Sequence, residues 1–398
     1  MKMYQHCNKE RRLMKTYKTE IVLNDEQKEK FFRTIGACRF VYNLFLQKNK
    51  ELYEKNKDTD LPKYMDNFEF SKWLNNDFVK NNPEYSWIKE VSSKSIRHTI
   101  DNSNVAFRKF FRHESKFPRF KKRDKNECSM YFVKTDAKAK IKCERHRIKI
   151  PTLGWCKLKE FGFIPINKTI KSGAITKQAG RFYVSVLVDE NVEGKPHNKN
   201  DGLGIDLGVK DFAVLSDGTR YKTLKQQKLN KRLLREQKAL SRKYEAKKKN
   251  KKEEATYKNI DKQKLRVQKI YQRIANVRND YQNKVIAEII KREPSFITIE
   301  DLNVRGMMKN RHLSKAIANQ GFAQFVSKLK YKCYLNGIEL RQVDRFYPSS
   351  KTCCLCGQIK SDLKLSDRVY RCDCGNIIDR DYNASINLKN AREYKVIA

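Results

Sequence analysis

The chain is short of acids: 46 Asp and Glu stand against 88 Lys and Arg in 398 residues, for a formal net charge of +42. A field of that size argues against a small acidic metabolite as partner and points to a large polyanion, nucleic acid first. No apolar run approaches the ~18 residues of a spanning helix, so a membrane partner is not expected. The N-terminal MKMYQHCNKERRLMKTYK has no apolar h-region, so it does not read as a signal peptide and a cytosolic protein is expected. Met14 offers a second candidate start. No internal repeat is evident. Disorder is not what the composition describes, because 39% hydrophobic residues can bury real cores beside 34% charged ones.

The periodicity divides the chain. YKTEIVLN (17–24) alternates like an edge strand, and Asn24 with Asp25 caps a helical pattern through Phe31, Phe32, Ile35, Cys38, Phe40, Val41, Leu44 and Phe45. Helical periodicity continues to about residue 112 and then switches to alternation in MYFVKT, HRIKIP, WCKLKEF and RFYVSVLV. A small barrel or sheet is expected there, joined by the N-terminal strand, with the helices as an insertion. ENVEGKPHNKND (190–201) reads as a linker. Two alternating runs follow in LGIDLGVKDFAVLSDG, and from Thr219 to Glu293 there is no Gly or Pro. Apolar residues recur there at helical spacing, and residues 222–292 hold 24 Lys and Arg against 7 acids, so a long, basic helical hairpin is expected. FITIEDLNV is the next strand, 314–335 a helix stopped by Asn336-Gly337, IELRQVD another strand, and DYNASINLKNAREY the final helix.

Five of the eleven cysteines lie in the last 46 residues. Cys353 and Cys356 form C-x-x-C, and Cys372 and Cys374 form C-x-C after 15 intervening residues, spacing that suits one tetrahedral Zn²⁺. C-x-C is tighter than the usual second knuckle and Cys354 is a spare thiol. With four thiolates there is no open position for water, so this zinc would be structural. Catalysis would then fall to carboxylates. Asp206 lies mid-strand in the glycine-flanked GIDLG, Glu300 ends ITIE, Asp381 opens the last helix and Asp379 stands two residues before it. Singly these are turn acids, a strand-end acid and helix caps. Together they describe an RNase H-like cluster holding two Mg²⁺ ions about 3.5–4 Å apart across a scissile phosphate.

In order along the chain, GIDLGVK, ITIEDLNVRGM, YPSSKTC-x-x-C and CDCG-x-x-x-DRDYNASINL closely resemble the nuclease half of the TnpB family. These are transposon-encoded RNA-guided DNA endonucleases related to type V CRISPR effectors. ACRFVYN and FPRFKK resemble that family in the N-terminal half. The resemblance implies an α+β multidomain chain. Residues 1–190 would form a wedge β-barrel with an inserted helical recognition lobe (helices about 25–112), and 191–201 a linker. Residues 202–398 would form an RNase H-like (RuvC) α/β nuclease domain with the hairpin 222–292 and an inserted zinc ribbon at 350–376. It implies that Asp206, Glu300 and Asp381 are catalytic, that a transposon-end RNA serves as guide, and that double-stranded DNA is cut beside a short flanking motif in the bacterial cytosol, at the nucleoid. In RKFFRHESKFPRFKKRDK (108–125), Arg119, Lys121, Lys122 and Arg123 are expected phosphate contacts, while Phe107, Phe110, Phe111 and Phe120 are either stacking surfaces or core. Three alternatives stand beside this reading: a cleavage-deficient RNA-guided DNA-binding regulator, a compact type V CRISPR effector, and a transposase that joins DNA ends.

Overall fold

The structure, a computed structural model, describes residues 11–123, 129–134, 141–192, 200–250, 255–364 and 367–398. Two compact units emerge, one of Arg12–Asn191 and one built chiefly from Val192–Ala398.

In the first unit, β1 (Arg11–Val22) leads into helices α1 (Asp25–Asn56), α2 (Asn67–Trp73), α3 (Val79–Asn81) and α4 (Ser93–Phe111). Only then come β2 (Ser129–Val133), β3 (Lys142–Cys143), β4 (Arg147–Ile150), β5 (Gly154–Leu158), β6 (Ile170–Gln178) and β7 (Arg181–Val192). The sheet order is β2-β6-β7-β1-β5-β4-β3, so β1 lies in the middle and the helices are inserted between two strands of one sheet. The alternation in RIKI works as its period requires, burying Ile148 and Ile150 and exposing Arg147 and Lys149. Asn24 caps α1 through a capping box with Gln27, whose side-chain amide also donates to the carbonyls of Leu153 (3.1 Å) and Trp155 (2.9 Å). One side chain thus starts the helix and ties it to β5.

The second unit opens with β8 (Leu203–Asp206), β9 (Asp211–Leu215) and β10 (Arg220–Lys222), followed by the long helices α5 (Gln227–Asn250) and α6 (Ala255–Lys291). After β11 (Phe296–Glu300) come α7 (Val304–Met307), α8 (Ser314–Gln320), α9 (Phe322–Asn336) and β12 (Glu339–Val343). A short hairpin, β13 (Val369–Arg371) and β14 (Ile377–Asp379), leads into α10 (Arg380–Lys389) and β15 (Lys395–Val396). The sheet order is β10-β9-β8-β11-β12-β15, with β8, β11 and β12 mutually parallel and the other strands antiparallel to their neighbours. Ile205, Ile297, Ile299 and Leu340 from the parallel strands join Phe325, Leu329 and Ile289 from the helices in one buried core.

Two sequence expectations need correction. The helix expected over 314–335 is two helices, interrupted at Gly321, whose φ of +65° ends α8 and opens α9. The buried Gln282 of α6 braces that break by donating to the carbonyls of Gln320 (2.8 Å) and Gly321 (3.2 Å). The last helix does not run through Tyr394 but stops at Lys389, and the chain turns back to add β15 beside β12.

Candidate active site and metal centre

Asp206 and Glu300 are placed by register. Ile299 pairs with Ile205 across the parallel β8/β11 ladder, and the next residue in each strand is the acid. Both isoleucines are fully buried. The carboxylates therefore leave the sheet together, at the carboxyl ends of parallel strands where open α/β sheets commonly bind ligands.

Asp381 arrives from another element. α10 crosses β8 so closely that a Cβ on Gly204 would lie 1.9 Å from the Ser385 carbonyl oxygen and 2.5 Å from the Lys389 nitrogen. Only glycine permits that approach, which packs the Ser385–Lys389 stretch of α10 on β8, and the charge of Asp381 at the other end of the helix acts on Asp206. Asp379 is the N-cap and accepts from the amides of Asp381 and Tyr382, both at 3.1 Å. Arg220 of β10 holds the Asp379 carboxylate at 3.0 Å and also reaches the buried Asp211 at 3.6 Å.

The electrostatics separate these acids. Burial first, and then the charges of Glu300 and Asp381, hold the Asp206 carboxyl well above the ordinary carboxylate range. Burial also raises Glu300, against a hydrogen bond from Ser349 and the charge of Arg380 that pull it down. Burial pushes Asp379 up as well, but Arg220 and the two helix amides outweigh it and leave it lowered. Asp379 is thus a neutralised cap, whereas at Asp206 burial and the neighbouring carboxylates outweigh the charge of Arg380. Hard carboxylates in that state have the chemistry to bind a divalent ion. They stand apart, however: among the described residues, the one set of three or more Cys, His, Asp or Glu side chains gathered tightly enough for a single ion is Cys353, Cys356, Cys372 and Cys374.

In that set the four sulfurs lie within 4.8 Å of one another, with Cys353 to Cys374 at 3.7 Å and Cys356 to Cys372 at 3.5 Å. Four thiolates around a tetrahedral zinc, each ~2.3 Å from it, stand about 3.8 Å apart. The residues fit a Cys₄ metal. Cys354 is outside the set; its amide donates to Asn383 Oδ1 (3.0 Å), and burial raises its thiol. Tyr370 is fully buried beneath the cluster, with its hydroxyl donating to the Lys351 and Gln358 carbonyls.

The cysteine loop is strapped to α10 by residues that sequence reasoning passed over. Asn383 Nδ2 donates to the Thr352 carbonyl, and Asn387 Nδ2 to those of Ser349 and Thr352, all at 2.7 Å. The Tyr347 hydroxyl adds a bond to the Asn387 carbonyl at 3.2 Å, and Ser349 itself donates to Glu300 Oε1. One loop therefore braces both the helix that carries Asp381 and the side chain of Glu300. The available signal was NASIN: two amides four residues apart on the face of α10 that also carries small residues.

With this geometry in view, the comparisons with known proteins are informative. Three family descriptions match in chain order: "Helix-turn-helix domain" over residues 14–58, "Probable transposase" of the IS605 OrfB type over 185–311, and "Cas12f1-like, TNB domain" over 322–388. The last spans the cysteine loop and most of α10. The chain is a relative of the TnpB proteins. It is 29% identical over 395 residues to "Putative RNA-guided DNA endonuclease InsQ" of Escherichia coli, covering 95% of this chain and 91% of that one. It is also 29% identical over 379 residues to a "Putative RNA-guided DNA endonuclease" of Streptomyces pristinaespiralis, covering 94% and 88%. The fold matches a chain from a cryo-EM structure titled as a Cas12f1–sgRNA–target DNA complex, with a TM-score of 0.55, 14% identity and coverage of 96% and 100%. In this TnpB relative the segment described as helix-turn-helix is a strand followed by one unbroken helix, α1.

The expected phosphate contacts occupy a strap across α1. Asn43 holds the backbone of Lys121 by two bonds, at 2.8 and 3.0 Å, and the Lys121 ammonium lies 3.8 Å from the Tyr42 ring centre. Arg119, Lys122 and Arg123 are exposed. Of the four phenylalanines, Phe107 is core and Phe110 half-buried, while Phe111 and Phe120 are more than half exposed. Among the described helices none is long and apolar enough to cross a membrane.

Proposed function

We propose that this chain is an RNA-guided DNA endonuclease, with the sheet and helices of residues 12–191 as a wedge and recognition lobe and residues 192–398 as a RuvC-like nuclease domain. The observation that carries the reading is the register that brings Asp206 and Glu300 side by side at the carboxyl ends of β8 and β11, with the charge of Asp381 near enough to help raise Asp206. Those residues would hold two Mg²⁺ ions. When bound, the ions supply Lewis acidity and an activated water for phosphodiester hydrolysis. The protein's own part is orientation. Ser349 fixes one oxygen of Glu300, the packing of α10 on Gly204 fixes the approach of Asp381, and Arg220 withdraws Asp379 into capping.

The cysteine cluster would hold a structural Zn²⁺ with no open position, bracing the loop that touches both catalytic elements. Sequence selection would be left to a transposon-end guide RNA, because +42 of charge serves backbone binding of a heteroduplex without base readout. Sequencing the RNA that co-purifies with the protein from cells carrying its native locus tests this. One dominant structured RNA ending in sequence complementary to a DNA target is expected. A mixture without a dominant species contradicts a dedicated guide.

A further inference from the structure

At 86% exposure, Phe346 is the most exposed large hydrophobic side chain among the described residues. Leaving a phenylalanine in water forgoes the free energy of burying its ring, and nothing in the loop suggests that this one is there by slack. The Phe346 amide donates to Asp344 Oδ1 (2.8 Å), and the Tyr347 amide to the Asp344 carbonyl (3.1 Å). On one side Arg345 is paired with Asp301 at 2.8 Å; on the other, Tyr347 bonds α10 and Ser349 bonds Glu300. The turn is pinned on both sides and presents the ring outward.

Its position gives the ring a use. Val343, the last residue of β12, pairs with Glu300 across the parallel ladder. Phe346 follows three residues later, no more than about 11 Å of extended chain away, and adjacent strands are ~4.8 Å apart. Its Cα is thus within about 16 Å of that of Glu300, the length of roughly five stacked nucleotides at 3.4 Å each. An enzyme that leaves sequence to base pairing needs contacts that tolerate any base, and aromatic stacking provides them.

We infer that Phe346 is a stacking platform for a base of the single DNA strand led to Asp206, Glu300 and Asp381, within a few nucleotides of the scissile phosphate. The inference rests on the proposed nuclease reading, so its test is a binding measurement that needs no cleavage. Phe346→Trp places a tryptophan in residues 192–398, which otherwise have none, because Trp73, Trp87 and Trp155 all lie in the first unit. In an Asp381→Ala background, adding a mixed-sequence single-stranded DNA oligonucleotide should quench the emission gained through Phe346→Trp, measured against the Asp381→Ala parent. Phe346→Ala should weaken binding of that oligonucleotide by about tenfold or more at salt that suppresses phosphate contacts, since tenfold is about 1.4 kcal/mol and falls within the range of one base–aromatic stack. Phe346→Trp should keep the affinity, while Phe346→Leu should behave like alanine. Absence of quenching, unchanged affinity in Phe346→Ala, or rescue by leucine as complete as by tryptophan would overturn the platform. Quenching by RNA of the same sequence but not by DNA would overturn its assignment to the cut strand. If Asp381→Ala failed to stop cleavage while the quenching stood, the catalytic role given to Asp381 would fall and the nucleic-acid platform would remain.

Discussion

Asp206 ionises at a cost, because burial and the carboxylates of Glu300 and Asp381 hold its proton far above the ordinary value of 3.8. The folded state then binds that proton more tightly than the unfolded chain. Stability falls as pH rises from the carboxylate range towards the raised value, so the wild type carries part or all of that penalty at any pH above the ordinary carboxylate range. In chelator at pH 7, Asp206→Asn should therefore raise the melting temperature, by about 2–4 °C for each kcal/mol relieved in a unit of this size. Mg²⁺ should stabilise the wild type more than this variant; a lower melting point for Asp206→Asn in calorimetry would contradict the repulsive cluster. Asp379 differs because it is already paired. Asp379→Ala removes an N-cap worth ~1 kcal/mol and should lower the melting temperature by a few degrees while leaving cleavage largely intact.

At the scale of elements, α10 and the cysteine loop act as one piece. Asn387→Ala deletes two bonds of 2.7 Å and leaves the Ser349 carbonyl short of a donor, while the Thr352 carbonyl keeps its bond from Asn383, at ~1–3 kcal/mol for the buried group left unsatisfied. Zinc content measured by atomic absorption should stay at one per chain. The Mg²⁺ concentration needed for half-maximal cleavage should rise, since the brace on Asp381 and Glu300 has loosened; an unchanged requirement would refute a positioning role. Cys356→Ser or Cys372→Ser should instead lower the zinc content and loosen the loop together, and full zinc in both would show the ligand assignment to be wrong.

The same elements show what could be read without coordinates. An acid among apolar strand residues is visible in GIDLG and ITIE because its burial demands a partner, and four cysteines at ribbon spacing declare themselves locally; that β8 stops at Asp206 is not visible there. Ser349 does not, because its partner Glu300 is 49 residues away. The role of Gly204 depends on the close packing of α10, and Gly321 was read through because one glycine is tolerated in a helical pattern.

For the whole molecule the dominant quantity is charge. Protein prepared at low salt should carry nucleic acid, and random duplex DNA should be stripped off as salt rises, each phosphate contact adding about 0.9 to the log–log slope. The guide RNA should resist that salt; equal loss of unrelated RNA and bound RNA in filter binding would argue against a shaped site. Charge alone does not distinguish a nuclease from a binding protein; the role proposed for the acids does. The most direct test is cleavage of a double-stranded DNA matched to the co-purified RNA, in Mg²⁺, by the wild type, Asp381→Ala and Asp379→Ala. The wild type and Asp379→Ala should cut the matched target and spare a mismatched one, while Asp381→Ala should bind the matched target and leave it whole. Cutting at the normal rate by Asp381→Ala would contradict the account.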